Sequence, residues 1–180
     1  MTDKLKNTVL RCLRFVFAPL RRSYHRRNGT VTDSRRIEFP NAVFLALVSE
    51  KLSEGKSVTI WVKGYSMRPF IEYGRDRVKL EARQGYEVGD AVLACIAPGR
   101  YVLHRIINKD GKLITLQGDG NVRGVERCAI SDICGVVTEY IRPARTIPAS
   151  DPRLRRTVKL WRALRPIRRI LLAVYKCVAV

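Results

Sequence analysis

Residues 57–70 read SVTIWVKGYSMRPF, and this stretch decides how the rest of the chain is interpreted. The β-branched and aromatic residues at its start predict a strand. Gly64 ends that strand, and Pro69 prevents a helix from starting directly after it. Ser66 therefore lies on a bend just beyond a strand end. A serine hydroxyl is a weak nucleophile unless a base lies beside it, so its chemistry depends on whether the chain supplies one.

The chain has 180 residues, of which 46% are hydrophobic, and a formal net charge of +19. This length fits one domain with appendages, or at most two small domains, and the apolar fraction supports a packed core. Lys and Arg outnumber Asp and Glu by 12 to 5 in 1–56, by 12 to 10 in 57–141 and by 11 to 1 in 142–180. The two flanks thus carry the basicity, which predicts an anionic partner, either phospholipid or nucleic acid.

The five cysteines show no CxxC spacing, so we expect neither a zinc site nor a redox pair, and no cofactor. Three of them, Cys95, Cys128 and Cys134, lie among apolar residues and are expected to pack as small hydrophobic side chains. We also expect no cleavable signal peptide and no transmembrane span. The best apolar candidate, 170–180, has 11 residues, against roughly 20 needed to cross a bilayer.

Sequence patterns divide the chain into a basic helix with a linker over 1–38, a main domain over 39–141, and a basic helical tail over 142–180. In both flanks, apolar residues recur every three or four positions among arginines, which is typical of basic amphipathic helices. Pro166 is expected to divide the tail into two helices.

The main domain begins with a predicted helix over 41–54 and continues as a β-core over 57–141, where short apolar runs alternate with turn residues. Six strands are expected, at 57–63, 76–81, 90–96, 100–107, 112–117 and 133–140. A tight Asp110-Gly111 turn joins the fourth strand to the fifth. The pattern predicts a mainly β fold, a compact coiled antiparallel β-domain with flanking basic amphipathic helices.

His104 is the histidine best placed to serve Ser66. Of the two histidines in the chain, His25 lies in the Arg-rich linker, whereas His104 lies within a predicted strand among apolar residues. Imidazole titrates near neutral pH and is therefore suited to proton transfer. A purely structural role for a histidine on a strand also stays open.

A histidine that acts as general base is usually oriented by a carboxylate. Asp119 follows His104 at the end of the next predicted strand, and the turn at 110–111 should return that strand beside His104. The two residues are then expected at nearly the same level. The alternative for Asp119 is a turn aspartate that hydrogen-bonds within its own loop.

Four short boxes carry a resemblance to a known family: GYSMRP at 64–69, VGDAVL at 88–93, VLHRI at 102–106 and GDGN at 118–121. In content and order they resemble the signal peptidase I and LexA-like serine peptidases. Bacterial members have a lysine base where this chain has His104, so the pattern is most similar to the Ser-His signal peptidases of the endoplasmic reticulum. The resemblance implies a serine endopeptidase that cleaves a protein or peptide substrate through an acyl-enzyme. In that reaction Ser66 is the nucleophile, His104 the general base and Asp119 the acidic member.

Three departures from the family pattern bear on that site. Further aspartates follow the last box in the endoplasmic-reticulum type, and here the available acid is Glu126, so Asp119 and Glu126 both stay open as the third member. Gly64 stands where the family commonly has a hydroxyl residue that helps to bind the oxyanion. The oxyanion hole would then rely on backbone N–H groups such as that of Ser66. Signal peptidases also carry a membrane anchor, which is not expected here.

The basic flanks are predicted to bind an anionic membrane surface through 5–22 and 153–180. A helix with an apolar stripe and arginines suits the headgroup region, and each Lys or Arg near that surface contributes about 1 kcal/mol. We therefore expect a peripheral membrane protein on the cytoplasmic side. Alternatively, the stripes pack on the β-domain and the arginines are solvated.

Nucleic-acid binding is a less favoured use of the same basic flanks. Residues 1–56 offer no second helix at helix-turn-helix spacing, and few aromatic residues are interleaved with the basic ones. The alternatives to a peptidase are therefore a LexA-like regulatory or self-cleaving module with weak or no turnover, and a basic nucleic-acid-binding protein on the same scaffold.

Overall fold

The computed structural model of the chain describes residues 41–179, with side chains up to Tyr175. The helix predicted over 5–22 and the linker up to residue 38 lie outside the described residues. The described part is mainly β, an open antiparallel sheet of eight strands with three short helices.

The elements follow one another in chain order, with two short 3-10 helices at Ile130–Asp132 and Arg165–Ile167. The helices are α1 (Asn41–Ser53), α2 (Pro152–Ala163) and α3 (Arg168–Ala179). The strands are β1 (Val58–Trp61), β2 (Arg77–Glu81), β3 (Ala91–Ala97), β4 (Arg100–Asp110), β5 (Leu113–Gln117), β6 (Glu126–Ala129), β7 (Ile133–Arg142) and β8 (Arg145–Pro148).

The predicted antiparallel β-core is confirmed at the level of its strands. All six predicted strands and the helix at 41–54 are present, with ends within three residues of those expected. Two further strands, β6 and β8, were not predicted. The β6 sequence, ERCA, has two charged residues in four and becomes a strand by pairing with β5. Pro148 ends β8, which pairs only with β7, and proline is tolerated at such positions of a sheet.

The sheet has the order β1-β2-β7-β3-β4-β5-β6, and β8 pairs with β7. The β4–β5 hairpin turns at Gly111, where the positive φ of 55° favours glycine. Along this hairpin Arg105 lies opposite Gln117, and Ile106 lies opposite Leu116. Leu116 in turn lies opposite Glu126 on β6. This register sets which side chains share a face of the sheet.

Two hydrophobic clusters lie on the two faces of the sheet. Successive strand residues point to opposite faces, so Leu93 belongs to the first cluster while Val92 and Ala94 belong to the second. The first and larger cluster also contains Met67 and Phe70 from the segment after β1. The segment that carries Ser66 is thus anchored in the main core.

The apolar stripe of the tail packs into this first cluster. Its buried members are Leu154, Val158, Trp161, Leu164, Leu171 and Leu172. Of the two arrangements that the sequence left open for this stripe, these six residues adopt packing on the β-domain. The apolar Ile167, Ile170 and Val174 are exposed, as are Arg153, Arg156 and Arg169. The core therefore continues past the predicted boundary at residue 142. Within 41–179 no helix is long and apolar enough to cross a membrane.

Candidate active site

The Ser66 loop leaves β1 through Gly64, whose φ of 86° lies in the left-handed region that glycine adopts at little steric cost. The Arg68 N–H then donates to the Tyr65 carbonyl at 3.2 Å and closes a turn around Ser66. Met67 and Phe70 are buried in the core, whereas Ser66 is half-buried. Packing on both sides thus fixes the backbone of a serine that solvent can still reach.

The turn over 118–121 packs directly against this loop. The Gly120 N–H donates to the Ser66 carbonyl at 2.7 Å. A Cβ on Gly118 would lie 2.5 Å from the Ser66 carbonyl oxygen, and one on Gly120 would lie 2.7 Å from that of Tyr65. Both glycines are needed because only a residue without a side chain permits this approach. The structure therefore brings together the first and last of the four boxes.

His104 is buried on β4, 6% exposed, opposite Val92 of β3. Its Nδ1 lies 2.8 Å from Glu126 Oε2. Glu126 opens β6, and its side chain is 21% exposed. With the carboxylate accepting the Nδ1–H, Nε2 is left as the ring nitrogen that can take up a proton. Glu126 thus orients the imidazole as a general base requires.

Asp119 meets a different partner, the neighbouring Arg105. The Arg105 Nε donates to Asp119 Oδ1 at 2.8 Å, and Nη2 donates to Oδ2 at 2.6 Å. Both residues are buried, at 2% and 3% exposure. Burial by itself lowers the pKa of Arg105, but the Asp119 carboxylate outweighs it, and the pKa lies above its ordinary value. Asp119 is therefore committed to neutralising a buried guanidinium.

The face of the sheet explains why Glu126, and not Asp119, meets the histidine. Residues directly opposite one another share a face, so Ile106, Leu116 and Glu126 lie on one face. His104, two residues before Ile106, shares it. Asp119 is two residues after Gln117, which lies opposite Arg105. The sequence correctly predicted that Asp119 lies beside β4, near His104 along the strand direction. Its side chain, however, lies on the face of the sheet that carries Arg105, opposite to the face of His104.

Gly118 lies where the Ser66 loop packs against the end of the β4–β5 hairpin, which carries His104. Continuing the β4–β5 register by one residue puts Gly118 opposite His104 and on its face. The Ser66 carbonyl oxygen occupies the place where a Gly118 side chain would lie. The Ser66 carbonyl therefore contacts the turn that directly follows the strand paired with the His104 strand. No hydrogen bond joins the two side chains within the described residues, and catalytic hydrogen bonds commonly tighten only when substrate binds.

A possible oxyanion donor lies in the same loop. Among residues 41–179, no partner accepts a hydrogen bond from the Ser66 N–H. Gly64, two residues earlier, contributes no side-chain donor. A group of three or more His, Cys, Asp or Glu side chains able to hold a metal ion is not found in this part of the chain. This part of the structure accordingly contains a half-buried serine, an imidazole held by a carboxylate and one free backbone N–H.

Sequence reasoning missed several residues that contact the site. Arg105 is the partner of Asp119, and its position next to His104 on a strand was the only signal for it. The Trp161 Nε1–H donates to the Asp119 carbonyl at 2.9 Å, and the Tyr175 hydroxyl donates to Glu72 at 2.9 Å. Trp161 belongs to the apolar stripe predicted for the tail, and Tyr175 was not singled out, so nothing in the sequence marked the polar contact of either residue.

No protein-family model matches this chain, and a search of curated proteins found no match. The likeness to the signal peptidase and LexA-like group, drawn from the four boxes, stays a prediction.

Proposed function

We propose that this protein is a serine endopeptidase in which Ser66 attacks the scissile carbonyl of a protein or peptide. The observation that carries the proposal is the 2.8 Å contact between His104 Nδ1 and Glu126. A buried imidazole held by a carboxylate on one nitrogen has the other free for proton transfer. Ser66, whose carbonyl oxygen packs against Gly118 of the turn after β5, would supply the nucleophile.

In the proposed reaction, the Ser66 hydroxyl loses its proton to His104 Nε2 as Oγ bonds to the carbonyl carbon. Glu126 stabilises the imidazolium that forms. His104 then gives the proton to the leaving amine, and the C–N bond breaks to leave an acyl-enzyme on Ser66. A water molecule, deprotonated by His104 in turn, hydrolyses that ester and releases the acid product.

The oxyanion hole is the weakest part of the proposed site. The free Ser66 N–H is its backbone donor, and Gly64 adds no hydroxyl. Loss of one oxyanion donor in other hydrolases removes about 3 kcal/mol of transition-state stabilisation. We therefore expect slow turnover or a narrow range of substrates.

The finer fold assignment, to the signal peptidase and LexA type, belongs to the same proposal. It is supported by the contact between the GYSMRP and GDGN boxes and by the antiparallel hairpin that bears His104. A second candidate function within this type is a LexA-like regulatory or self-cleaving module. The observation in its favour is Gly64, which adds no side-chain donor to the oxyanion hole and therefore favours weak turnover.

A fluorophosphonate probe on the full chain tests the peptidase proposal. We expect the probe to label Ser66, as located by peptide mass spectrometry, and labelling to be lost in Ser66→Ala and His104→Ala. Ser150→Ala is the matched control, because Ser150 is an exposed serine outside the site. Labelling that persists in Ser66→Ala, or that is absent from the wild type, contradicts the proposal.

Peripheral membrane binding through 5–22 and 153–180 is proposed alongside the activity. Because most of the tail stripe is buried in the core, the main contribution of α2 and α3 would be electrostatic and weakened at high salt. The exposed Ile167, Ile170 and Val174 would add a smaller apolar contribution. Replacing the exposed Arg153, Arg156 and Arg169 by Gln should weaken flotation with phosphatidylglycerol vesicles and leave the fold intact. Equal flotation of wild type and variant counts against a role for the tail.

A further inference from the structure

The first tail helix, α2, contacts both the Ser66 loop and the 118–121 turn of the candidate site. Trp161 donates its indole N–H to the Asp119 carbonyl at 2.9 Å, inside the 118–121 turn. The same ring meets Phe70 edge to face, with centroids 6.2 Å apart, at the end of the Ser66 loop. A tryptophan can be buried by packing alone, but its N–H requires an acceptor, and here that acceptor belongs to the site.

The other tail helix, α3, reaches the Ser66 loop through Glu72. The Tyr175 hydroxyl donates to Glu72 Oε2 at 2.9 Å. Glu72 also accepts from Arg68, whose Nε lies 2.8 Å from Oε1. The Arg68 guanidinium in turn lies 3.9 Å from the centroid of the Tyr65 ring. A chain of contacts thus runs from α3 to the residues on both sides of Ser66.

The Tyr175 hydroxyl is suited to be a permanent donor in this chain. Burial and the adjacent Glu72 carboxylate raise the pKa of Tyr175 above its ordinary value. The hydroxyl therefore keeps its proton throughout the neutral range, and the hydrogen bond to Glu72 is maintained.

Arg168, at the start of α3, adds a third contact. Its Nη1 donates to Gln117 Oε1 at 3.2 Å and to the Asn121 carbonyl at 3.3 Å. Gln117 ends β5 and Asn121 ends the turn, so one buried guanidinium holds both ends of the segment that contacts Ser66. The tail therefore binds the loop and the turn, which are separate in the chain.

We propose that α2 and α3 act as a brace that sets the position of Ser66 relative to His104, with Trp161 and Tyr175 as positioning residues. The inference rests on the proposed peptidase function. The Ser66 loop and the turn that follows β5 belong to different segments, and the Gly118–Gly120 approach joins them. A displacement of about 1 Å between reacting groups can slow a reaction about a hundredfold, so fixing both segments against the same two helices has a direct effect on rate.

Two variants test the brace by removing a donor: Tyr175→Phe loses the hydroxyl and keeps the ring, and Trp161→Phe loses the indole N–H and leaves a smaller aromatic ring. Tyr86→Phe is the matched control, since Tyr86 is also buried but belongs to the second cluster. The first measurement is fluorophosphonate labelling of Ser66, resolved into probe binding and the rate of the covalent step. We expect the covalent step to slow about tenfold in either variant, with probe binding close to that of Tyr86→Phe. Thermal stability should match that of Tyr86→Phe in Tyr175→Phe and be lower in Trp161→Phe, where the smaller ring leaves a cavity in the core.

The second measurement is amide hydrogen exchange, which does not depend on activity. Both variants should exchange faster in 64–72 and 118–121 only, and Tyr86→Phe should not. Wild-type labelling rates in both variants, or faster exchange spread over the whole domain, overturn the brace. If the wild type is never labelled, the proposed function fails, and exchange alone then decides whether the tail holds these segments.

Discussion

Asp119 and Glu126 are both acids that follow β5 and lie beside β4, yet they have different partners. Asp119 is almost fully buried and forms a two-point ion pair with Arg105, whereas Glu126 is partly exposed and contacts His104. A carboxylate paired with a buried guanidinium stabilises the fold. A carboxylate on an imidazole can respond to the charge that the ring acquires. The comparison shows that the face of a strand, and not closeness in sequence, selects the acid that contacts His104.

The largest expected effect is that of Glu126→Gln on the rate at which the fluorophosphonate probe labels Ser66. The amide can no longer stabilise an imidazolium and can favour the wrong tautomer, so labelling of Ser66 should slow by about a thousandfold or more. Stability should change little, because the side chain is partly exposed. Glu139→Gln, which removes a carboxylate at the sheet surface, is the control. If Glu126→Gln labels at the wild-type rate, the two acids do not differ as described.

Asp119→Asn should act on stability instead. It leaves Arg105 buried without a counter-charge, which typically lowers the free energy of unfolding by about 3 to 5 kcal/mol. Urea denaturation measures this loss. Replacing the pair by apolar residues, as Arg105→Met with Asp119→Leu, should recover most of it. A stable Asp119→Asn protein with slow labelling would instead assign Asp119 to the reaction.

Gly118→Ala tests the close contact between the Ser66 loop and the turn that follows β5. The new Cβ would lie 2.5 Å from the Ser66 carbonyl oxygen, so the loop and the turn must separate, with an expected loss of about 1 to 3 kcal/mol and of labelling. Gly111→Ala is the matched control at the far end of the hairpin, where the space is open and only the positive φ is unfavourable. It should destabilise by about 1 kcal/mol and leave the labelling rate unchanged. Equal effects of the two changes on labelling contradict a specific role for Gly118.

The sequence predicted much of the sheet because strand and turn signals are local. It missed β6 because ERCA forms a strand only against β5, and that pairing is set by the hairpin register. It named Ser66, His104 and both acids, but the choice between the acids depends on which face each side chain joins. The sequence could not predict the polar contacts of the tail, because Trp161 and Tyr175 lie 42 and 103 residues from their acceptors. Periodicity marks such residues as buried and does not identify their partners.

Salt should change the effects of the two carboxylate substitutions least of all. Because Glu126 is more exposed than Asp119, the effect of replacing Glu126 should depend more on salt. Raising NaCl from about 0.1 M to 1 M shortens the screening length from about 10 Å to about 3 Å. The Arg105–Asp119 pair is shielded from solvent ions by burial, so the stability lost in Asp119→Asn should be the same at both concentrations. Glu126 is open to solvent on one side, and the labelling advantage of wild type over Glu126→Gln should shrink by about twofold. Each comparison is a ratio between two proteins in the same buffer, so general effects of salt on the probe cancel. A larger salt response from Asp119→Asn than from Glu126→Gln would reverse the assignment of the structural and the reactive carboxylate.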